Sequence, residues 1–328
     1  MSEVRKTRKV PFHSMIDGVP RCPFTTAERI RRAVAFVPEK GDLLQISYPK
    51  SGTHWVQYIT QLILREGEYA RTYAEFIGAA VFLDYYDVRW ESRLAEGTLR
   101  LFMTHIPLRR DKFNPEAKYI YVARNPWDVC VSFYHHVKSL SCFRFEDGSF
   151  DDFFEVFIRG DFGYGDYFEH VLSAYLLRNE PNVLFLTYEE LKRDTAATVL
   201  RMASFFGERY VRLLQDDSEK GRKRLELVLE RAKPENMKAA MDLDLTKSGR
   251  AEVDARMKEL NLSFNAALVG DETRFNFVRK AKVGAWKEYF NRDQLRRFED
   301  TIVEKTKGSG VMELWADIRR EALLLAQG

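Results

Sequence analysis

Residues 48–55 of this chain, YPKSGTHW, carry the groups that an anion-binding loop needs. Lys50 supplies a positive charge, and Ser51 and Thr53 supply hydroxyl donors. Gly52 lets the chain turn sharply between them, because glycine tolerates φ values that other residues avoid. These residue types predict a loop that binds phosphate or a similar group.

The flanking sequence predicts the elements that would position this loop. Residues 42–47 form a short apolar run typical of a buried strand, and apolar residues recur at helical spacing over 55–64. A helix that starts after such a turn points free backbone N–H groups at an anion. The loop differs from the common nucleoside triphosphate pattern, since its one glycine follows the lysine. An ordinary strand-to-helix turn with a solvated lysine is the alternative interpretation.

A second candidate cation follows the apolar run 119–123. Arg124 offers a planar guanidinium suited to phosphate, and Ser132 lies two turns into the helix that follows. Asn125 and Pro126 predict the start of that helix, with Asp128 in its first turn. A surface arginine near a helix start is the alternative.

The third basic cluster lies in residues 277–287, FVRKAKVGAWK. Arg279 and Lys280 alternate there with small and apolar residues near a glycine, which would suit a second phosphate. A solvated basic loop is the alternative interpretation.

His105 is the candidate general base. It follows the apolar run 99–103, and Pro107 ends any strand there, so His105 is predicted at a strand's carboxyl end. An imidazole with a pKa of ~6.5 can accept a proton at neutral pH, although a buried structural histidine is the alternative. The pair His135 and His136 is predicted to face different sides of a helix. The chain has no His, Cys, Asp or Glu cluster with metal-ligand spacing, so no metal is expected.

Strands predicted at 42–47, 99–103, 119–123 and 183–188 alternate with predicted helices. This order favours an α/β fold with a central parallel sheet flanked by helices and a P-loop-like anion-binding loop. Ligands of such sheets lie beyond the carboxyl ends of the strands, and four candidate residues fall there: Lys50, His105, Arg124 and Tyr188.

The organisation along the chain predicts a single domain over residues 1–328. Residues 1–25 are polar and are expected to be loosely ordered, with 1–16 a flexible segment and a helix beginning near 25–28. Residues 140–152 and 240–276 lack a clear period and are predicted to be mobile flaps.

Composition limits the class of protein. The net charge of +3 gives no global field, so neither nucleic acid nor a membrane surface is an expected partner. The amino terminus lacks the apolar segment of a signal peptide, and no stretch has the roughly 20 apolar residues of a membrane span. The three cysteines are odd in number and suit reduced thiols, so a cytoplasmic protein is expected.

Together these motifs resemble the cytosolic sulfotransferase family, over about residues 17–290. The resemblance rests on five motifs: YPKSGT at 48–53, THIP at 104–107, YVARNP at 121–126, TYEE at 187–190, and a basic motif within 279–287. Ser132 follows the third motif, eight positions after Arg124, and the fifth consists of Arg279, Lys280, Gly284, Trp286 and Lys287. It implies transfer of a sulfonate from 3′-phosphoadenosine 5′-phosphosulfate (PAPS) to a hydroxyl or amine of a small acceptor. The product nucleotide would be 3′-phosphoadenosine 5′-phosphate (PAP), and no metal would take part.

The resemblance also implies residue roles. His105 would act as the general base, Lys50 would stabilise the leaving group, and Ser132 would restrain Lys50 before substrate binds. The donor would contact Lys50, Ser51, Gly52, Thr53, His54, Trp55, Arg124, Ser132, Tyr188, Arg279 and Lys280. The acceptor pocket would include Phe82, Tyr85, His105, Phe133, His136 and Tyr164.

Several positions depart from the family pattern. Met103 stands where a lysine is frequent, His54 replaces the second threonine of the loop, and Ala281 replaces a glycine. Residues 232–234 stand where an aromatic would contact adenine, and residues 291–292 stand in place of a dimerisation motif. A monomer or a homodimer is therefore consistent with the sequence.

The aromatic residues that the resemblance places in the acceptor pocket predict a flat, phenol-like acceptor, although each could equally be a core aromatic. Asp84 and Asp87 lie beside them and could pair with an amine, so a catecholamine-like acceptor is a further hypothesis. Two other classes stay open at this point: a P-loop nucleotide kinase, and a nucleotide-binding protein of the same fold that has lost turnover.

Overall fold

The computed structural model describes residues 8–86, 99–216, 218–238, 240–244, 274–278 and 281–327. Its strands are β1 (Ser14–Ile16), β2 (Val19–Arg21), β3 (Asp42–Ser47), β4 (Val81–Phe82), β5 (Arg100–Thr104), β6 (Lys118–Ala123), β7 (Val183–Thr187), β8 (Asp242–Asp244) and β9 (Arg274–Asn276). The first helices are α1 (Ala27–Ala35), α2 (Thr53–Leu64), α3 (Tyr73–Gly78), α4 (Pro126–Ser139), α5 (Phe150–Arg159), α6 (Tyr167–Tyr175) and α7 (Tyr188–Arg193). The later helices are α8 (Thr195–Phe206), α9 (Glu208–Gln215), α10 (Glu219–Arg231), α11 (Pro234–Met237), α12 (Arg292–Lys305) and α13 (Ala316–Gln327).

A five-stranded sheet in the order β4-β5-β3-β6-β7 forms the centre of the fold, and every neighbouring pair is parallel. All six residues of β3 are buried, as expected for a parallel strand covered on both faces. Helix α2 packs against β3 and also against α8 and α10. The predicted fold class, a parallel sheet flanked by helices, is confirmed.

The register brings the carboxyl ends of four strands to one edge of the sheet. Ile46 pairs with Thr104, and Ala123 pairs with Thr187 on the other side of the sheet. Ser47 pairs with Val122, which joins the two halves. The residues that follow these strands in the chain are therefore neighbours in space.

Two segments differ from the sequence expectations. Strands β1 and β2 form an antiparallel hairpin over residues 14–21, where polar composition predicted loose order. In the predicted flap 140–152, Phe143 and Phe145 are fully buried, and the Phe143 carbonyl accepts a hydrogen bond from the Phe12 backbone N–H at 2.7 Å. The segment is thus packed onto the core. Most of the other predicted flap, residues 245–273, lies outside the described residues.

Within the described ranges, no helix is both long and apolar enough to cross a membrane.

Candidate active site

The loop between β3 and α2 is held open toward the sheet edge by its backbone. Gly52 caps α2 with φ 107°, and Lys50 adopts φ 69°. A Cβ on Gly52 would lie 2.9 Å from Cδ2 of Tyr188, so only glycine fits this approach. The Thr53 hydroxyl lies 2.7 Å from the Ser47 hydroxyl, which ties the first turn of α2 back to the end of β3.

His54 and Trp55 form the next part of the wall. The His54 ring stacks on Phe277, with centroids 4.3 Å apart, and burial lowers the pKa of His54 to about 3. Trp55 donates from Nε1 to the Ala232 carbonyl at 2.8 Å and meets the Tyr188 ring edge-on at 5.3 Å. His54, the departure from the family loop, thus joins the anion loop to the segment beginning at 274.

Arg124 connects this loop to the neighbouring strand end. Its Nη1 donates to the Lys50 carbonyl at 3.3 Å, and its Nη2 donates to the Lys282 carbonyl at 2.9 Å. The guanidinium also lies over the Tyr188 ring, 4.3 Å from the centroid, and 3.6 Å from the Asp128 carboxylate. Arg124 is therefore a buried cation that touches three of the segments around the site.

Asp128, in the first turn of α4, organises the chain that follows the basic cluster 279–280. Its carboxylate accepts hydrogen bonds from the backbone N–H groups of Gly284, at 2.9 Å, and Trp286, at 3.2 Å. The sequence identified Asp128 only as a first-turn acid. The long-range contact could not be read from local spacing, because the partners lie 156 and 158 residues away.

His105 is fixed at three points. Its backbone N–H donates to the Asp84 carboxylate at 3.0 Å, and its backbone carbonyl lies 3.0 Å from Nε2 of His170. Its ring Nδ1 lies 2.6 Å from the Ser47 carbonyl. A carbonyl only accepts, so Nδ1 carries the hydrogen and Nε2 keeps a lone pair. Burial lowers the pKa of His105 to about 3, which keeps the imidazole neutral at physiological pH.

Asp84 was predicted as a possible partner for an amine acceptor. Instead, the carboxylate anchors the backbone of His105, and Asp84 does not line the cavity described below. Burial raises the pKa of Asp84 to about 6. Asp87, the other predicted acid, lies outside the described residues.

The Lys50 side chain reaches toward the last turn of α4. Its Nζ lies 3.5 Å from Nδ1 of His136, and both residues line the cavity together with Ser132. The sequence predicted His136 near the acceptor but gave no sign of its contact with Lys50.

A cavity of about 560 Å³ lies at this sheet edge and is shared by most of the predicted site residues. On the predicted donor side it is lined by Lys50, Gly52, Thr53, His54, Trp55, Arg124, Ser132 and Tyr188, and on the acceptor side by Phe82, Tyr85, His105, His136 and Tyr164. Predicted donor and acceptor residues therefore share one continuous space.

Two of the predicted site residues that the structure describes, Ser51 and Phe133, do not line this cavity. Ser51 is fully buried within the loop, and Phe133 lies one layer behind the wall with its ring 5.8 Å from that of Tyr164. Arg279 and Lys280 lie outside the described residues.

The cavity also contains residues that the sequence did not identify: Phe24, Tyr73, Tyr86, His135, Met237, Leu243 and Phe277. His135 and His136 both line the cavity near the end of α4, but their rings contact different partners: His135 contacts the Tyr289 hydroxyl and His136 contacts the Lys50 ammonium. Their aromatic or apolar character was the only available signal, and core residues share it.

The family departures have clear structural settings. Met103 is fully buried in β5 beside Gln45 of β3. Pro234 begins α11 and lines the cavity, and Ala281 lines it with φ 48°, a value that favours glycine.

The donor side of the cavity fits an anion with several oxygen atoms. Ser51 Oγ and Arg124 Nε are buried, and neither has a hydrogen-bond partner among the described residues. Lys50 and Arg124 add positive charge beside the start of α2. No group of three or more His, Cys, Asp or Glu side chains is placed to hold a metal within the described ranges.

Comparison with known proteins agrees with this geometry. The family model described as a sulfotransferase domain matches residues 40–310. Amine sulfotransferase of Oryctolagus cuniculus is 30% identical over 285 residues, covering 86% of this chain and 85% of the relative. Sulfotransferase 2A1 of Mus musculus is 30% identical over 306 residues, covering 90% and 95%.

Solved structures share the fold. A mouse sulfotransferase complexed with PAP has a TM-score of 0.64 at 23% identity, covering 95% of this chain and 100% of that one. Retinol dehydratase in a complex with retinol and PAP has a TM-score of 0.62 at 24% identity, covering 87% of each chain. Neither the kinase nor the non-catalytic alternative gains support. The chain belongs to the sulfotransferase family and is a transferase that uses PAPS and releases PAP.

Proposed function

We propose that this sulfotransferase transfers the sulfonate of PAPS to a hydroxyl or amine of a small aromatic acceptor, with His105 as the general base. The observation that carries the proposal is the tautomer of His105. Its Nδ1–H is engaged by the Ser47 carbonyl at 2.6 Å, so the lone pair of Nε2 is the one left to accept a proton.

The chemistry of the base fits its surroundings. Burial lowers the pKa of His105 and keeps the ring unprotonated, so no proton must be lost before it can act. Negative charge brought in by the donor would raise that pKa and strengthen the base. His105 then takes the acceptor's proton as the acceptor oxygen or nitrogen attacks sulfur.

Lys50 is proposed to stabilise the charge that develops on the leaving phosphate, with the loop's backbone N–H groups beside it. Ser132 lines the cavity on the same helix face as Asp128 and is proposed to restrain Lys50 before the donor binds. The proposed 3′-phosphate site combines Arg124 and Ser132 with Arg279 and Lys280.

The remaining donor contacts are proposed along the loop. Residues 50–55 would hold the 5′-phosphosulfate, with Ser51 Oγ supplying one of the buried donors that need a partner. Trp55 and Tyr188, which meet edge-on beside Arg124, are proposed to contact the adenine.

The acceptor is proposed to bind among aromatic rings next to His105. The ring of Phe82 lies 5.0 Å from the His105 ring and that of Tyr164 lies 5.2 Å from it, and the Tyr85 and Tyr164 hydroxyls are hydrogen bonded. Such walls favour a flat phenol. An amine acceptor is supported by the relative named amine sulfotransferase. Phe133 is proposed to support this wall from behind.

Two further proposals concern the cellular location and the oligomeric state of the protein. Cys22, Cys130 and Cys142 are free thiols, which supports action in the cytoplasm. The active unit is proposed to be a monomer or a homodimer.

The test of the proposed function is transfer from labelled PAPS to a panel of phenols, amines and aliphatic alcohols. We expect labelled product with at least one aromatic hydroxyl or amine, together with release of PAP. No transfer to any member of the panel would contradict the proposal. If only phenols were turned over, and if Asp87→Ala left amine binding unchanged, the proposal of an amine acceptor would be contradicted.

A further inference from the structure

Lys50 is held at two points, one on its backbone and one on its side chain, by residues that adjoin or belong to helix α4. Its backbone carbonyl accepts from Nη1 of Arg124 at 3.3 Å, and its Nζ lies 3.5 Å from Nδ1 of His136. The Lys50 backbone itself has a left-handed φ of 69°. Arg124 thus holds the Lys50 backbone, and His136 contacts the ammonium in the cavity.

The contact defines the tautomer of His136. An ammonium group only donates hydrogen bonds, so Nδ1 of His136 must accept and the ring hydrogen must lie on Nε2. Burial, with the adjacent Lys50 charge as a second cause, lowers the pKa of His136 well below its usual value. The ring is thus a neutral acceptor for Lys50.

Helix α4 places His136 with little freedom. Asp128, Ser132 and His136 follow at four-residue spacing and share one helix face. Asp128 binds the backbone of the 284–286 segment on that face, and the helix start is capped by Asn125, whose side chain accepts from the Asp128 N–H at 2.8 Å. The His136 ring also packs between Phe133, at 6.2 Å, and Phe143, at 6.0 Å.

We propose that His136 is a positioning residue for sulfonate transfer, which holds the Lys50 ammonium at the point where the leaving phosphate departs. This inference rests on the proposed function. It assigns to His136 a part in the transfer step itself, in addition to its place in the acceptor wall.

The step balances without a proton on His136. The acceptor's oxygen or nitrogen forms a bond to sulfur, and the bond from sulfur to the bridging oxygen breaks with its electron pair leaving on the phosphate. The acceptor's proton goes to Nε2 of His105. Lys50 stabilises the departing oxygen by charge and hydrogen bonding, and His136 keeps Lys50 in place.

A matched set of variants tests the proposal. His136→Phe keeps a flat ring but removes the acceptor, and His136→Leu removes it with a different shape, which guards against misfolding of one variant. His136→Asn restores an oxygen acceptor near the Nδ1 position. We expect kcat to fall about tenfold or more in the first two variants and to recover substantially in the third.

Two readouts separate positioning from a purely structural role. Calorimetric titration with PAP is expected to give affinities in all variants within about threefold of wild type, since the change is realised in the transfer step. Nitrogen NMR of the wild-type imidazole is expected to show Nδ1 unprotonated and Nε2 protonated at neutral pH.

Several results would overturn the inference. They are an unchanged kcat in a folded His136→Phe or His136→Leu, an equal loss in His136→Asn, a loss confined to KM, or the opposite tautomer in wild type. Failure of the proposed function would look different, because wild-type protein itself would then transfer no sulfonate to the panel.

Discussion

At the scale of single residues, Gly52 decides how close the anion loop comes to Tyr188. Its φ is 107°, and a Cβ added there would lie only 2.9 Å from the tyrosine ring, which leaves no room for a side chain. The tyrosine ring in turn carries Arg124 over its face. A side chain at position 52 would therefore displace the Tyr188 ring and, through it, the Arg124 guanidinium.

We expect Gly52→Ala to weaken PAP binding and to lower the free energy of unfolding. A left-handed conformation costs a non-glycine residue about 1–2 kcal/mol, and the contact with Tyr188 adds to this. Calorimetric titration with PAP and thermal unfolding would measure both effects.

Gly41→Ala is the matched control. Gly41 also has a left-handed φ, of 89°, but a Cβ there would meet nothing within 4 Å. This variant should lose stability through strain while keeping PAP affinity. Equal loss of PAP affinity in the two variants would contradict the role given to Gly52.

At the scale of elements, α4 links the loop after β3 with the segment that follows the basic cluster. Asp128→Ala would leave the N–H groups of Gly284 and Trp286 without this acceptor, at a cost of about 1–3 kcal/mol for the buried N–H of Trp286 and less for the half-buried N–H of Gly284. We expect a lower unfolding free energy and weaker PAP binding, because this segment follows Arg279 and Lys280 in the chain. Denaturant unfolding and titration with PAP would measure these changes.

Asp317→Ala provides the control for loss of a carboxylate. Asp317 pairs with Arg320 on an exposed surface, with 91% of its side chain accessible. Such pairs contribute little, so we expect a change within about 1 kcal/mol and unaltered PAP binding. Equal effects from the two substitutions would remove the special role of Asp128.

The elements most accessible to sequence analysis are the strands of the central sheet. Residues 119–123 are a continuous apolar run, and residues 43–46 are apolar apart from Gln45, because both faces of a parallel strand are buried; β6 and β3 match these runs closely. The hairpin at 14–21 was missed because its strands have only three residues each, too few to show an alternating pattern. The packed segment around Phe143 was missed because its contacts are distant in sequence.

The site was predictable to the extent that its residues follow strand ends. Lys50, His105 and Arg124 could be placed on one sheet edge from chain order alone, and the structure brings them to one cavity. The role of Asp84 as a backbone anchor and the contact between Lys50 and His136 depend on side-chain directions between distant elements. Local patterns contain no information about such directions.

At the scale of the whole molecule, the buried histidines should make stability depend on pH. Burial lowers the pKa of His54 and His105 to about 3 and of His170 to about 4, and it lowers the pKa of His136 as well. As pH falls below ~6.5, these side chains take up protons in the unfolded state but stay neutral in the folded state. Acid therefore favours unfolding.

Asp84 acts in the opposite direction. Its pKa is raised to about 6, so the folded state takes up a proton first as pH falls, which offsets part of the loss. The four histidines with lowered pKa values outweigh the one carboxyl with a raised pKa. We therefore expect the unfolding free energy to fall between pH 6.5 and pH 4, by up to about 1.4 kcal/mol per pH unit for each histidine. Urea unfolding at several pH values would measure it, and equal or greater stability at pH 5 than at pH 7.5 would contradict it.

The central claim is that His105 removes the acceptor's proton, and single-turnover transfer tests it most directly. Enzyme in excess over labelled PAPS would be mixed with the best acceptor, comparing wild type, His105→Ala and, as a control outside the cavity, His13→Ala. We expect His105→Ala to slow transfer about 10²–10⁴-fold with PAP affinity retained, and His13→Ala to match wild type. Transfer at an undiminished rate in His105→Ala would contradict the claim.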